Sequence, residues 1–308
     1  MYNPLNLKDG DILKANHLEH IEQGLLDASE KADNNESDIV TLKADKADKS
    51  VVSNLSNPNL LINGDFRVNQ RGFTSGSYNT TSITYTVDRW RVPKNSKFNI
   101  TIEEDGITLE NTGSDYIVFS QNLEHNVKSD NGLTASCKIS YVSGEVSLCI
   151  HGSQFYNKNI TEVGIITITV GSEYYCNQVY LYLPSNAKVK VNWIKLEQGS
   201  IATPFVPRTY AEELAMSMRY CEPICISVAV VNNYTTNIPY RVPKRVPPTI
   251  TMSEIKYGHS SSSMNIIDAF NENLKLVQTT SHDFGIKQQI ESGIVWANLI
   301  GFADAEIY

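Results

Sequence analysis

The sequence predicts a mainly β protein with an N-terminal α-helical coiled coil, a central jelly-roll β-sandwich and a small C-terminal β domain. Three observations predict it. Apolar residues recur at heptad spacing only in the first fifty or so positions. Short alternating runs set off by Gly, Asn, Asp and Ser then fill residues 59–208. Finally, Val191–Tyr220 strings together a strand, a proline-bracketed link and a capped helix, which marks a joint between two β domains. The chain accordingly divides at 1–58, 59–208 and 209–308.

Bulk composition narrows the function classes. A chain of 308 residues exceeds one ordinary core, so two or three domains are expected. With 19% charged and 41% hydrophobic residues it reads as folded and soluble, not disordered. A net charge of -8 and a pI near 5.3 leave no broad basic patch for nucleic acid. Cys137, Cys149, Cys176, Cys221 and Cys225 are an odd set, which reads as reduced thiols rather than a disulfide framework. MYNPLNLKDGDILK has no apolar leader segment, and no run approaches the ~18 apolar residues of a membrane span, so no membrane insertion is expected.

In the N-terminal stretch, Leu18, Leu25, Ala32, Ile39 and Lys46 occupy one core position. Ile21, Ala28, Asn35, Leu42 and Lys49 occupy the other. So narrow a stripe suits an oligomeric coiled coil; the alternative is a helix docked on the protein's own β domain. Asn35 in the seam would fix register. Periodicity does not separate dimer from trimer. A linker at Asn54–Asn59 follows. Strand-like runs then come at Tyr85–Trp90, Asn99–Ile102, Tyr116–Ser120, Leu133–Tyr141, Gly144–Ile150, Ile165–Val170, Gln178–Leu183 and Val191–Leu196. Thr209 with Glu212 reads as a capping box, and Leu214, Met218 and Cys221 would share one helical face. Beyond it, strands are expected at Ile224–Val231, up to Tyr240, and at Leu274–Thr279, Ile286–Gln289 and Gly293–Gly301. Pro239–Met252 must be an edge or crossing segment.

The opening LINGDF (Leu61–Phe66), the DRW at Asp88–Trp90 and the closing WIKLEQGSIATPFVPR (Trp193–Arg208) together resemble the carbohydrate-binding-module-like domain of phage tail fibre and tail receptor-binding proteins. ADKADK (Ala44–Lys49), VPKRVPPT (Val242–Thr249) and the ending ADAEIY are similar to shaft and tip segments of the same proteins. The resemblance implies a homotrimer in the virion tail, made in a bacterial host's cytoplasm. Its N-terminus would join a tail or baseplate protein, and it would adhere to a host cell-surface polysaccharide without catalysis. The other classes are a purely structural appendage and a glycan-cleaving tail enzyme. The resemblance also raises a structural calcium near Asp65, with Glu197 the one further acidic ligand in view; no cofactor and no metal are expected.

No catalytic signature stands out. GHSSSS (Gly258–Ser263) lacks nucleophile-elbow spacing and reads as a loop, and no phosphate-cradling glycine loop is present. Cys221 and Cys225 lack a second pair for zinc and read as packed thiols. Glu103, Glu104 and Asp105 form a tight acidic cluster, read as a solvated turn. Sugar binding needs aromatic faces for pyranose rings and fixed amide or charged groups for hydroxyls. Tyr116, Tyr156, Asn157, Tyr175, Tyr240 and Arg241 are the candidates. Tyr156 and Asn157 lie in what reads as a polar loop, His151–Asn159; Tyr174 and Tyr175, being adjacent in a strand, must face opposite ways. Tyr240, Arg241, Lys244 and Arg245 form a basic patch that either meets an anionic polymer or pairs with a neighbouring subunit's Asp304 and Glu306. Trp90 and Trp193 read as core aromatics.

Overall fold

The structure is a computed structural model that describes residues 15–45, 56–128, 130–231, 235–259, 262–265, 274–288 and 294–306. The chain divides into two compact units, Met1–Ser56 and Asn57–Tyr308.

In the first unit, helix α1 spans Ala15–Asp45. Its 31 residues give a rod of about 46 Å. Three seam residues, Leu18, Ile21 and Leu25, are 54%, 39% and 66% exposed. The side chains of Ile39 and Leu42, and all of Lys46 and Lys49, lie outside the described residues. Among those described, no helix is long and apolar enough to cross a membrane.

The second unit opens with a sandwich of strands β1 Gly76–Asn79, β2 Thr84–Tyr85, β3 Arg91–Val92, β4 Lys97–Glu103, β5 Gly106–Asn111 and β6 Ile117–Lys128. It continues with β7 Leu133–Ser143, β8 Val146–Gly152, β9 Phe155–Ile160, β10 Gly164–Val170, β11 Tyr175–Leu183 and β12 Lys188–Gln198. One sheet runs β1-β4-β5-β12-β7-β10 and the other β2-β3-β6-β11-β8-β9. The pairing is nested: β8 with β9, β7 with β10, β6 with β11, β5 with β12, all antiparallel and in alternating sheets. That is a long hairpin rolled up, the jelly roll. Its core comes from the inward alternate residues, among them Phe98, Ile100 and Leu109 of the first sheet and Phe119, Leu148 and Leu181 of the second.

The region His151–Asn159, expected as a loop, is largely strand β9. Its polar and aromatic residues are tolerated because β9 is an edge, packed on one side only. Conversely, Tyr85–Trp90 is mostly a turn, with Arg89 at φ 71°. Trp90 is fully buried, stacked on Phe119 at 5.1 Å and edge-on to Phe66 at 5.3 Å. Trp193 is not a core residue: it is half-buried and stacks at 4.8 Å on Phe205 of the proline-bracketed link.

The LINGDF stretch laces along β12. Leu60 donates to Leu196 O, Ile194 N donates to Gly64 O, and the Asn59 amide accepts from Leu61 N and Leu196 N. A Cβ on Gly64 would overlap Ile194 O and the Asn59 amide, both held in this lattice. Gly64→Ala is expected to lower stability by about 1–3 kcal/mol, read as an earlier urea midpoint at unchanged slope.

Helix α2, Tyr210–Met218, starts with the expected capping box: Thr209 N donates to Glu212 at 2.9 Å and Glu212 N to Thr209 Oγ1 at 3.3 Å. Its buried face differs from the expected one. Glu213 and Ser217 are buried, and Cys221 already belongs to the next strand. The reason is polar: Glu213 accepts from Asn63 N and from Arg208, so the helix is anchored by charge-assisted bonds, not by Leu214 and Met218.

Strands β13 Cys221–Val231, β14 Thr235–Pro239, β15 Thr249–His259, β16 Ser262–Asn265, β17 Leu274–Thr279, β18 Asp283–Gln288 and β19 Ile294–Asp304 complete the unit. They form sheets β13-β19-β15-β16 and β14-β18-β17 around Ile224, Ile238, Phe284, Ile286 and Leu299. Of the GHSSSS stretch read as a loop, Gly258 and His259 end β15 and Ser262 and Ser263 open β16, which pairs with it antiparallel; residues 260 and 261 lie outside the described residues.

Candidate functional site

The outward face of the second sandwich sheet carries the site. On β11, Val179, Leu181 and Leu183 are buried in the core, so strand alternation turns Tyr180 and Tyr182 outward. Leu148 and Ile150 do the same for β8, turning Ser147, Cys149 and His151 outward. Register then sets rows across the strands. Tyr182 faces Ser147, which faces Asn159, and Ser147 Oγ donates to Asn159 Oδ1 at 2.9 Å. Tyr180 faces Cys149, which faces Asn157, and Gln178 faces His151, which faces Phe155.

Aromatic rings pair on this face. Tyr116, 58% exposed, stacks on Tyr182 at 5.2 Å; Phe155, 54% exposed, lies near-parallel to Tyr180 at 6.3 Å. Such half-exposed rings offer an apolar face while the amides of Asn157, Asn159 and Gln178 surround them with donors and acceptors. Burial pushes the Tyr180 hydroxyl well above its ordinary range, keeping it a neutral donor. The neighbouring Cys149 thiol is pushed up to about 12 by burial, so it is an inert filler beneath the rings.

Of the residues picked from sequence, this face brings together Tyr116 and Asn157. Tyr175, 39% exposed, opens β11 at its far end; the adjacent Tyr174, expected in the same strand, lies just before it and is buried. Tyr156 lies on β9 one residue from Asn157, edge-on to Tyr174 at 5.4 Å. Tyr240 and Arg241 belong to the C-terminal sheets. Tyr240 is 8% exposed with its ring stacked on Phe284, so it offers no face to a ligand. Arg241 keeps an exposed side chain, 4.0 Å from Glu222. The basic patch around them is not a patch: Lys244 is buried, bonded to Glu222, Met218 O and Val242 O. Phe155, Tyr180, Tyr182 and Gln178 were missed by sequence reading.

Asp304 and Glu306 are taken up within the chain. Glu306 binds Arg89 in a pair that is 2% and 0% exposed, and it also meets Arg71 at 3.3 Å; Asp304 meets Arg71 at 3.5 Å. Arg89 lies flat on Tyr220 at 3.6 Å and donates to Asn122 O. DRW is thus the clasp between sandwich and C-terminal sheets.

The remaining candidates for chemistry are committed elsewhere. Lys190 bonds Glu103 at 2.6 Å and Asp105 at 2.9 Å, and these bonds hold both carboxyls below their usual range. A glycosidase acid needs the opposite shift. Asp88 is pushed up by burial, but it is sealed behind Gln70 and Arg71, its side chain 1% exposed. Asp65 pairs with Arg67, and Glu197 with Lys195 and Thr203. Among the described residues no group of three or more His, Cys, Asp or Glu could hold a metal. Cys221 is buried, whereas Cys225 is exposed and not packed.

Two depressions lie off this face. One, about 540 Å³, is lined by Asn57, Lys128, Asp130 and Gln198; the other, about 190 Å³, lies by the clasp between Leu60, Leu123 and Tyr220. The aromatic face is an open platform, suited to an extended chain of rings and not to an enclosed small molecule.

No protein-family model matches the chain, and no curated protein matches it. Among solved structures, a point mutant of a family 29 carbohydrate-binding module matches at 8% identity over 43% of this chain and 99% of that one, with a TM-score of 0.30. A second mutant of such a module, complexed with cellulohexaose, matches at 8% identity over 42% and 99%, TM-score 0.28. A family 11 carbohydrate-binding module from Clostridium thermocellum, in complex with a mixed-linked tetrasaccharide, matches at 14% identity over 41% and 99%, TM-score 0.27.

Proposed function

We propose that this chain is a non-catalytic, saccharide-binding adhesion protein of a phage tail or phage-tail-like particle. The observation that carries the saccharide reading is the outward row of Tyr116, Tyr182, Tyr180 and Phe155 bordered by Asn157, Asn159 and Gln178. Rings stack on the apolar faces of pyranoses, and the amides take their hydroxyls. The tail reading rests on the LINGDF, DRW and WIKLEQGSIATPFVPR motifs. The exposed Leu18, Ile21 and Leu25 seam supports joining of chains through α1. In this reading three chains join, and each face holds its glycan weakly. Three linked faces then raise avidity through effective concentration.

The test has two arms. Light scattering should give a trimer for the full chain, with the mass of a chain starting at Asn57 telling whether the β domains hold it together. Fluorescently labelled full chain should coat host cells and block adsorption of the particle. A monomeric full chain would sink the fibre reading. A trimer that neither labels cells nor competes would leave a structural appendage. Reducing ends released from cell wall would make it an enzyme.

A further inference from the structure

The aromatic face runs to an arginine that leaves one of its donors without a partner in the fold. Arg91 on β3 pairs with Ser120 of β6, and Ser120 pairs with Tyr180. Trp90 and Val92 on either side are fully buried in the core, so Arg91 points outward with the tyrosines. One row thus reads Arg91, Ser120, Tyr180, Cys149, Asn157. Two strand spacings put Arg91 and Tyr180 at roughly 10 Å between Cα positions, within one sugar residue's reach of both.

The neighbouring arginines are spoken for: Arg71 meets Asp88, Asp304 and Glu306, and Arg89 meets Glu306. Arg91 is in no such pair among the described residues, and its Nη1 is buried without a hydrogen-bond partner. Arg91 as a whole is only half-buried, and a donor left unmet beside an open face is relieved by an acceptor seated there. The acceptor that suits a planar fork of donors is a pair of anionic oxygens. Resting on the saccharide reading above, we propose that this site takes an acidic glycan, with Arg91 binding a carboxylate or phosphate on the sugar seated over Tyr180. The net charge of -8 gives such a polymer no long-range attraction. Selection therefore acts at contact, inside a Debye length of about 8 Å.

Calorimetric titration of the full chain with hexagalacturonate, a glycerol-phosphate oligomer and cellohexaose tests this. At least one anionic probe is expected to bind roughly tenfold or more tighter than cellohexaose, and which one distinguishes carboxylate from phosphate. Arg91→Gln should remove that advantage and leave cellohexaose binding within about twofold. Arg91→Lys, which keeps the charge but not the fork, should keep part of it. Unchanged melting temperatures separate this from misfolding, and Arg91→Lys serves if Arg91→Gln does not fold. If Arg91→Gln binds the anionic probes as well as the native chain does, or if cellohexaose is preferred, the inference about Arg91 fails while the saccharide face stands. If none of the three binds, or binding ignores Tyr180→Ala, the underlying reading fails too.

Discussion

A chain carrying both Tyr180→Ala and Tyr182→Ala is expected to lose glycan binding by about thirtyfold to several hundredfold. Each ring stacked on a sugar contributes roughly 1–2 kcal/mol through apolar contact and ring geometry, and every 1.4 kcal/mol is tenfold in Kd. Removing Tyr182 also strips Tyr116 of its stacking partner, so Tyr116 loses its fixed orientation. Because Tyr180 and Tyr182 are half-buried on an outer face, stability should fall far less than for a core truncation. Tyr141→Ala is the control: it is 48% exposed on β7 of the other sheet and should bind normally. The readout is the dissociation constant for the saccharide that labels the native protein, alongside the melting temperature. Native affinity in the double variant would move the site to another surface.

Glu306→Ala is expected to be the most destabilising single change, at about 3–5 kcal/mol, the usual penalty for stripping a buried ion of its partner. Among the described residues, Arg89 would remain nearly buried against Tyr220 with Asn122 O as its one hydrogen-bond acceptor, and Arg71 would keep Asp304, Asp88 and the Tyr85 ring. In a unit of this size that amounts to roughly a 10 °C drop in Tm. The pair replacement Arg89→Met with Glu306→Leu should recover much of the loss, since neither charge is then left buried. Equal Tm values for Glu306→Ala and the native chain would mean that water reaches Arg89 in solution and that the clasp is no clasp.

Much of this fold was written in local patterns. Alternation placed β7, β8, β10 and β12 within a few residues, and the Thr209–Glu212 capping box fixed the start of α2. The candidate face was less legible, for a physical reason. In β11 the run Tyr180-Leu181-Tyr182-Leu183 alternates between two residue types that both tolerate burial, so period two separates the faces without saying which is the core. Only the seating of β11 between β6 and β8 decides it. Edge strand β9 was hidden by its own polarity, and HGSQFYNKN read as a loop. Tyr240 and Lys244 failed differently: their partners Phe284 and Glu222 are brought in by the sheets and leave no local signal. In α2, the polar face became the buried one because Asn63 and Arg208 come from outside the helix to meet Glu213.

The clasp also sets a clock on synthesis. Arg89 and Glu306 are 217 residues apart, so at about 5–20 residues per second the ribosome needs roughly 10–40 s to supply the second after the first. During that interval the sandwich strands have all been made, yet the guanidinium destined for burial has no carboxylate. A nascent chain must therefore hold that corner open to water, and a chain cut short by translation or proteolysis stays open there. The joint closes only on chains that have been read through to Glu306.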